Sequence, residues 1–441
     1  MNPHDPEQAA EKTSTRVVKV GAMTRVEGEG SLLIQTEGDR VKNVDLHIFE
    51  PPRFFEAFLR GRAVHETPDI TSRICGICPV AYQMSAVHAI ESGLGVVMPD
   101  AIRRLRRLLY CGEWIESHVL HIYLLHAPDF LGLPDAISLG KTQRQRLETG
   151  LRLKKLGNRI MALLGGREIH PINVKVGGFY KIPPRESFRE LSDELFWGIE
   201  AAKDTLSWVS GFTFPEFAMD TEYVALQNPG EYPMNEGNIA SSRGLRIETR
   251  AFEDHFEEYQ APQSTALHAR RRGHGSYLTG PIARFLLNFA ALPPPVQKLA
   301  QESGIPLPCY NPYRSIQIRA LEVIYACQEA QRLIQDYEDG QRSSVELQVH
   351  AGSGCAATEA PRGLLYHRYE WDGEGSILAA RIVPPTSQNQ SRMEEDLGTL
   401  VAGHLSLPDD ELAAHCERFV RNFDPCISCA THFLKLTRER V

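Results

Sequence analysis

No run of about 18 or more apolar residues occurs in this chain, so none of it is expected to cross a membrane as a helix. The first residues, Met1 to Thr15, are polar and hold no apolar signal core. That points to a cytoplasmic protein, unless a partner carries it out of the cell. An excess of basic residues is missing too. Lys and Arg number 48 against 56 Asp and Glu, for a formal net charge of −8. Phosphates therefore meet no basic face, which argues against nucleic acid as a partner. No Gly-x-Gly-x-x-Gly follows a strand-like run to bind a nucleotide. Repeats, low-complexity tracts and Gly/Ser linkers are also absent, so no clean domain boundary shows. The 441 residues, 42% hydrophobic and 24% charged, read as one interlocked body of ordinary globular composition, though longer than a single core usually takes.

Patterning then sets the organisation. Met1 to Thr15 reads as a loose tail. From Arg16 to Glu50 the runs VVKV and SLLIQTEGDRVKNVDLHIF are strand-like, with a hairpin turn at Glu37-Gly38-Asp39. Helical spacing dominates afterwards. It covers Ala81 to Ser92, Ala101 to Leu125, Lys141 to Leu164, Ser187 to Val209, Ser315 to Tyr337 and Glu411 to Phe423. Segments rich in Gly and Pro, such as His170 to Pro184 and Asn228 to Gly244, read as irregular. The expected class is α+β, mostly α-helical, with a β-rich N-terminal segment and long helices in a single body.

Nine cysteines are present, an odd number that does not suit a secreted disulfide framework. Four form two Cys-x-x-Cys pairs, Cys75/Cys78 and Cys426/Cys429, near opposite ends of the chain. Such a pair brings two sulfurs to one metal, and Gly76 lets the backbone wrap around it. Thiolates are soft donors that suit zinc, iron–sulfur clusters, nickel and low-valent iron. Three readings follow: a structural zinc, two unrelated redox or packing pairs, or one catalytic metal centre built from both chain ends. If the pairs share a site, the ends must meet.

The flanking residues carry a resemblance. Arg73-Ile74-Cys75-Gly76-Ile77-Cys78 near the start and Asp424-Pro425-Cys426-Ile427-Ser428-Cys429-Ala430-Thr431-His432 at the end are similar to the paired signature of [NiFe] hydrogenase large subunits. Thr24 to Gly28, His170-Pro171, Gly177-Gly178, Gly280 to Arg284 and Glu359 to Gly363 extend the likeness along the chain. The resemblance implies a single large-subunit body over residues 16–432. It implies a nickel–iron centre whose iron carries carbon monoxide and cyanide, and reversible cleavage of H2 into two protons and two electrons. Cys75 and Cys426 would be terminal nickel ligands, while Cys78 and Cys429 would bridge to iron. Cys426 would also be the first base. Glu27 would take the proton next, since a carboxyl can accept and pass one on. Arg362 would stand over the metals as a fixed charge. Pro361, Val383, Pro384 and Thr386 would line the pocket around the diatomic ligands. Glu56 and His432 would hold a second ion, magnesium or iron, near the C-terminus.

The chain departs from the family pattern in places. Tyr82 stands where many members have His, and Ser117 where many have Asp. A phenol donates a hydrogen bond but cannot become a cation near neutral pH. Tyrosine here resembles the cytoplasmic, nicotinamide-linked branch, including the sulfhydrogenases. Residues 433–441 follow His432, where family members commonly lose a tail on maturation. Cys111, Cys309, Cys327, Cys355 and Cys416 lie singly, so iron–sulfur clusters and FAD belong to partners. These would be a small iron–sulfur subunit, a flavin subunit using NADP or NAD, and a further iron–sulfur subunit. A hydrogen sensor, or a respiratory-complex subunit of the same ancestry, are the alternative readings.

Overall fold

The computed structural model describes residues 15–431 except 52 and 219. The two tails at 1–14 and 432–441, and with them His432, lie outside the described residues. At the N-terminus β1 (Thr15–Val20), β2 (Gly30–Glu37) and β3 (Arg40–Ile48) form an antiparallel meander. Gly38 takes φ +57 at the expected turn, a conformation open to glycine without strain. Along β2 every second residue is buried, Leu32 and Ile34 among them. This is the alternation of a sheet with one face on a core.

Six long helices match the six periodic stretches: α1 (Pro79–Gly93), α2 (Asp100–Leu120), α3 (Arg144–Gly165), α4 (Arg189–Ser210), α5 (Ser315–Gln335) and, after an unforeseen helix, α7 (Asp409–Arg421). The periodicity to Leu125 continues past α2 as a π-helical turn over His121–His126. Between α5 and α7 lie elements that the sequence does not announce. These are an antiparallel sheet of β4 (Gly352–Ala360), β5 (Gly363–Trp371) and β6 (Ile377–Val383), then helix α6 (Pro385–Ala402). The segment 170–184 holds a two-residue ladder, Val174–Lys175 with Gly178–Phe179, and 228–244 holds the strand Asn238–Ser241. The class is α+β with helix predominating, as expected.

Two apolar clusters position the site. The larger is built mainly from α1 to α5 and includes Cys75, Cys78, Cys426 and Cys429. The second joins Leu32, Ile34, Leu46 and Ile48 of the N-terminal sheet to Leu397 of α6, Phe419 of α7 and Ile427. Each such fully buried side chain contributes about 1.5–3 kcal/mol, so burial itself draws the two chain ends together. Helices α2 and α3 cross so closely that a Cβ on Gly157 would lie 2.5 Å from Gly112 O.

A Gly157→Ala variant should therefore overpack this crossing and lose about 1–3 kcal/mol. By contrast, Gly398→Ala within α6 has open space and no positive φ, and should gain about 0.5–1 kcal/mol. Opposite shifts in thermal midpoint for the two variants check both statements.

Candidate metal centre

Cys78 caps the N-terminus of α1, with Pro79 in its first turn. The loop before it is wrapped around one sulfur, since the N–H groups of Ile77 and Cys78 each point at Cys75 Sγ at 3.3 Å. Glu113 on α2 is fully buried and receives Val80 N at 2.6 Å and Ala81 N at 3.1 Å. It closes the helix end that carries the cysteines. Burial drives its pKa well up, against the pull of those N–H donors.

The second pair is placed from the other chain end. Asp424 takes φ +51, and Cys426 pairs with Glu27 as a parallel bridge, Ile427 N donating to Glu27 O at 3.0 Å. Thr386 Oγ1, at the start of α6, accepts Cys426 N at 3.0 Å. Arg53 straps the two loops, donating to Ile74 O at 2.6 Å and to Ser428 O.

The four sulfurs converge. Cys75 and Cys426 Sγ are 3.6 Å apart, Cys78 and Cys429 3.8 Å, Cys426 and Cys429 2.8 Å, and all four lie within 4.8 Å of one another. All are buried. The reading as two unrelated pairs is thereby excluded. Hydrogen bonds from Cys426 and then from Cys429 and Cys78 pull the Cys75 thiol well below its usual pKa, while burial pushes Cys426 well up. Four such sulfurs cannot all ionise together in a dry pocket without a cation among them.

Around them stand polar groups with capacity to spare. Arg362 is buried, gives Nε to Asp424 O at 2.9 Å and Nη2 to Asp424 Oδ1 at 3.2 Å, and leaves Nη1 with no partner among the described residues. Burial opposes its charge, but Asp424 and the thiols outweigh that and raise its pKa. Elsewhere on α2, Ser117 Oγ is buried with no partner among the described residues. The Tyr82 hydroxyl lies against Cys429; burial first, and the sulfurs next, hold it firmly protonated.

Arg362 owes its place to a two-residue hairpin loop, because Ala360 pairs with Gly363 and leaves Pro361 and Arg362 at the tip. Arg284 clamps this loop. Its five N–H groups go to Glu322 Oε1 and Oε2 at 2.8 and 2.7 Å, Glu359 Oε2 at 3.1 Å, Ala360 O at 2.8 Å and Pro361 O at 2.9 Å.

Of the residues singled out in the sequence, Glu27, Thr386, Arg362 and the four cysteines are thus brought together. Glu27 Oε2 is 3.0 Å from Cys426 Sγ. Pro384 caps α6 just ahead of Thr386. Val383, next to Pro384, packs with Leu364 and Tyr366. Glu56 accepts Ile382 N at 2.8 Å, and Arg53 N holds Thr431 O at 2.6 Å, which brings the chain to the turn before Glu56. Residues that the sequence reading missed are Glu113, Asp424, Arg284, Ser428 and Glu50. The Ser428 hydroxyl donates to Glu50 Oε2 at 3.0 Å, and Ser428 N to Glu27 Oε2 at 3.1 Å. Asp424 and Ser428 lay within the C-terminal cysteine motif and Arg284 within the Gly280 to Arg284 motif, but none was given a role there; Glu113 and Glu50 had no signal.

The sequence matches the profile of the family described as nickel-dependent hydrogenase over residues 53–150 and 265–432, more than half of the chain. It is 33% identical over 428 residues to sulfhydrogenase 2 subunit alpha of Pyrococcus furiosus, covering 95% of this chain and all of that one. It is 28% identical over 476 residues to the NAD-reducing hydrogenase HoxS subunit beta of Cupriavidus necator, covering 95% of each. The fold superposes on the structure of an NAD+-reducing [NiFe]-hydrogenase in the H2-reduced state with a TM-score of 0.86 at 26% identity. That match covers 95% of this chain and all of the other.

Replacing Arg284 with Met would strand Glu322 and Glu359 and loosen the Pro361-Arg362 loop. The loss should be about 3–5 kcal/mol, read as a fall in the chemical-unfolding midpoint.

Proposed function

The chain belongs to the nickel-dependent hydrogenase family, and we propose that its four clustered thiols hold the nickel–iron centre of this catalytic subunit. The protein is a [NiFe] hydrogenase, an oxidoreductase acting on H2. In the proposed assignment Cys75 and Cys426 would serve as terminal nickel ligands, and Cys78 and Cys429 would hold nickel together with an iron carrying carbon monoxide and cyanide. The donor set fits: four soft sulfurs in one buried cluster, with Arg362 Nη1, which has no partner among the described residues, nearby. When bound, the centre polarises H2 and takes up its two electrons.

The chain's own residues do the rest. Cys426 Sγ holds the released proton and passes it to Glu27 Oε2, 3.0 Å away. Glu27 Oε2 is held in place for this by Ser428 N, which donates to it at 3.1 Å. Arg362 supplies a fixed positive charge, and its free Nη1 can orient a bound species. Pro361, Val383, Pro384 and Thr386 are read as the pocket lining, with Thr386 already hydrogen-bonded to Cys426 N. Glu56 and His432 are read as ligands of a second ion, magnesium or iron. Residues 433–441 would be removed on maturation or retained beyond the body of 16–432.

Electrons need a partner. Gly76, between Cys75 and Cys78, is exposed while both cysteines are buried, so one loop separates their sulfurs from the surface there. Ile169, at 56% exposure, Ile172 and Tyr180 are exposed apolar residues of the same region, and Ile169 Cγ2 comes within 3.9 Å of a Gly76 Cβ position. A small iron–sulfur subunit is proposed to cover this face. Beyond it, a further iron–sulfur subunit and a flavin subunit would serve NADP or NAD. The NAD-reducing and sulfhydrogenase relatives favour that acceptor. Among the described residues no helix is long and apolar enough to cross a membrane, and the proposed location is the cytoplasm.

The convergence of the four sulfurs carries this reading, and infrared spectroscopy with metal analysis on the purified complex tests it. Carbon monoxide and cyanide bands that shift under H2, with about one nickel per chain, are expected. Zinc without such bands in a fully matured preparation would overturn it. Glu27→Gln should keep the metals yet lose roughly 10²–10⁴-fold in turnover, with H/D exchange lost in parallel. Arg362→Lys should likewise keep its metal content while turnover falls sharply. Full turnover in either variant removes that residue from the mechanism.

A further inference from the structure

Two buried arginines close to the centre differ in how they are satisfied. Arg284 spends all five N–H groups, as described above. Arg319 on α5 is 1% exposed, yet its one hydrogen bond among the described residues is a long one, Nη1 to Asn422 O at 3.4 Å. Its Nε and Nη2 have no partner there. The nearest carboxylate oxygen, Asp424 Oδ2, is 4.0 Å from Nη2, beyond hydrogen-bond reach, because Arg362 engages that carboxylate. Burial, with the nearby positive charges of Arg362 and Arg284, lowers the Arg319 pKa to about 10 despite Asp424 and Glu322.

Beside Arg319 lies a cavity of about 30 Å³, bordered also by Thr221, Tyr223, Tyr310, Asp396 and Asn422. A single water needs roughly 10–15 Å³, so this space takes a couple of waters or one small ion. Tyr310, at 43% exposure, gives it an edge at the surface. Two more of the bordering residues have buried donors without partners, Thr221 Oγ1 and Asn422 Nδ2. The carboxylates nearby are already engaged. Arg362 holds Asp424, Arg284 holds Glu322, and Arg392 holds Glu395 through Nη1 at 3.0 Å and Asp396 through Nε at 2.8 Å and through Nη2. Behind Asn422, His126 adds no negative charge, and burial keeps it neutral. Arg319 is left with no carboxylate of its own, at a cavity bordered by residues with unmet donors from three parts of the chain.

We propose that this pocket is a binding site for a small monovalent anion of halide size, held by Arg319 with Thr221 and Asn422. An anion there completes the Arg319 guanidinium without drawing Asp424 away from Arg362. Its occupancy therefore bears on where Arg362 points.

Crystals of the purified complex soaked in sodium bromide should show bromide, by its anomalous signal, within hydrogen-bond reach of Arg319 and Asn422. In solution, bromide should raise the unfolding midpoint saturably relative to sodium gluconate of equal ionic strength, an anion too large to enter. Arg319→Met should abolish that rise. Should that variant not fold, Thr221→Val, a change at the cavity wall, should raise the half-saturating bromide concentration several-fold. Water alone in the pocket, or equal midpoints in bromide and gluconate, would overturn the proposal. So would a bromide effect unchanged in both variants.

Discussion

The parallel pairing of Glu27 with Cys426 ties the two ends of the chain, 399 residues apart, into one site. Such a distant closure looks expensive, yet its entropy grows slowly, by about 0.6 kcal/mol for each doubling of loop length. Closing this loop rather than one an eighth as long costs roughly 2 kcal/mol more, which one buried Leu or Ile can offset. The second apolar cluster supplies many, from Leu32 and Ile34 to Leu397 and Phe419. Once β2 lies against α6 and α7, Glu27, Thr386 and Cys426 meet without further adjustment.

Rigidity nearer the sulfurs comes from charge. Arg284 sits under the Pro361-Arg362 tip with its fork filled by Glu322 and by the carbonyls of Ala360 and Pro361. A buried ion pair adds little net stability against an apolar alternative, so its value here is in fixing the position of the loop that presents Arg362. Arg362 in turn fixes Asp424, two residues before Cys426. Across this chain of contacts, a loop from the middle of the sequence is registered against a ligand near its end.

How much of this was legible beforehand depended on the kind of signal. The four cysteines announced themselves through spacing, and the helices through apolar periodicity, even where, as in α1 and α5, nearly every face is buried. Strand β4 did not. Its sequence, GSGCAATEA, is small and polar because α1 lies directly upon it, and a Cβ on Gly354 would sit 2.0 Å from Ala89 O. Close packing chose residues that no strand propensity favours. Helix α6, PTSQNQSRMEEDLGTLVA, is polar yet largely buried, because Gln388 and Asn389 satisfy backbone groups of Leu364 and Thr279. Glu113, Glu50 and Ser428 stayed invisible for another reason. Their partners are backbone N–H groups or a neighbouring carboxylate, contacts that leave no spacing to read.

Protons and electrons ask different things of a protein, and in the proposed assignment the two cysteine pairs answer separately. A proton needs an acceptor within hydrogen-bond reach, which Cys426 has in Glu27, itself held by Ser428 N. An electron needs only a short distance, and the Cys75–Cys78 loop with its exposed Gly76 is about as thin as a covering can be. Adding side chains over Gly76 would thicken that covering without helping the proton. Removing the carboxyl of Glu27 would take away that acceptor and leave the covering untouched. The pairs sit on separate loops joined by the Arg53 strap, which allows each route to be shaped without disturbing the other.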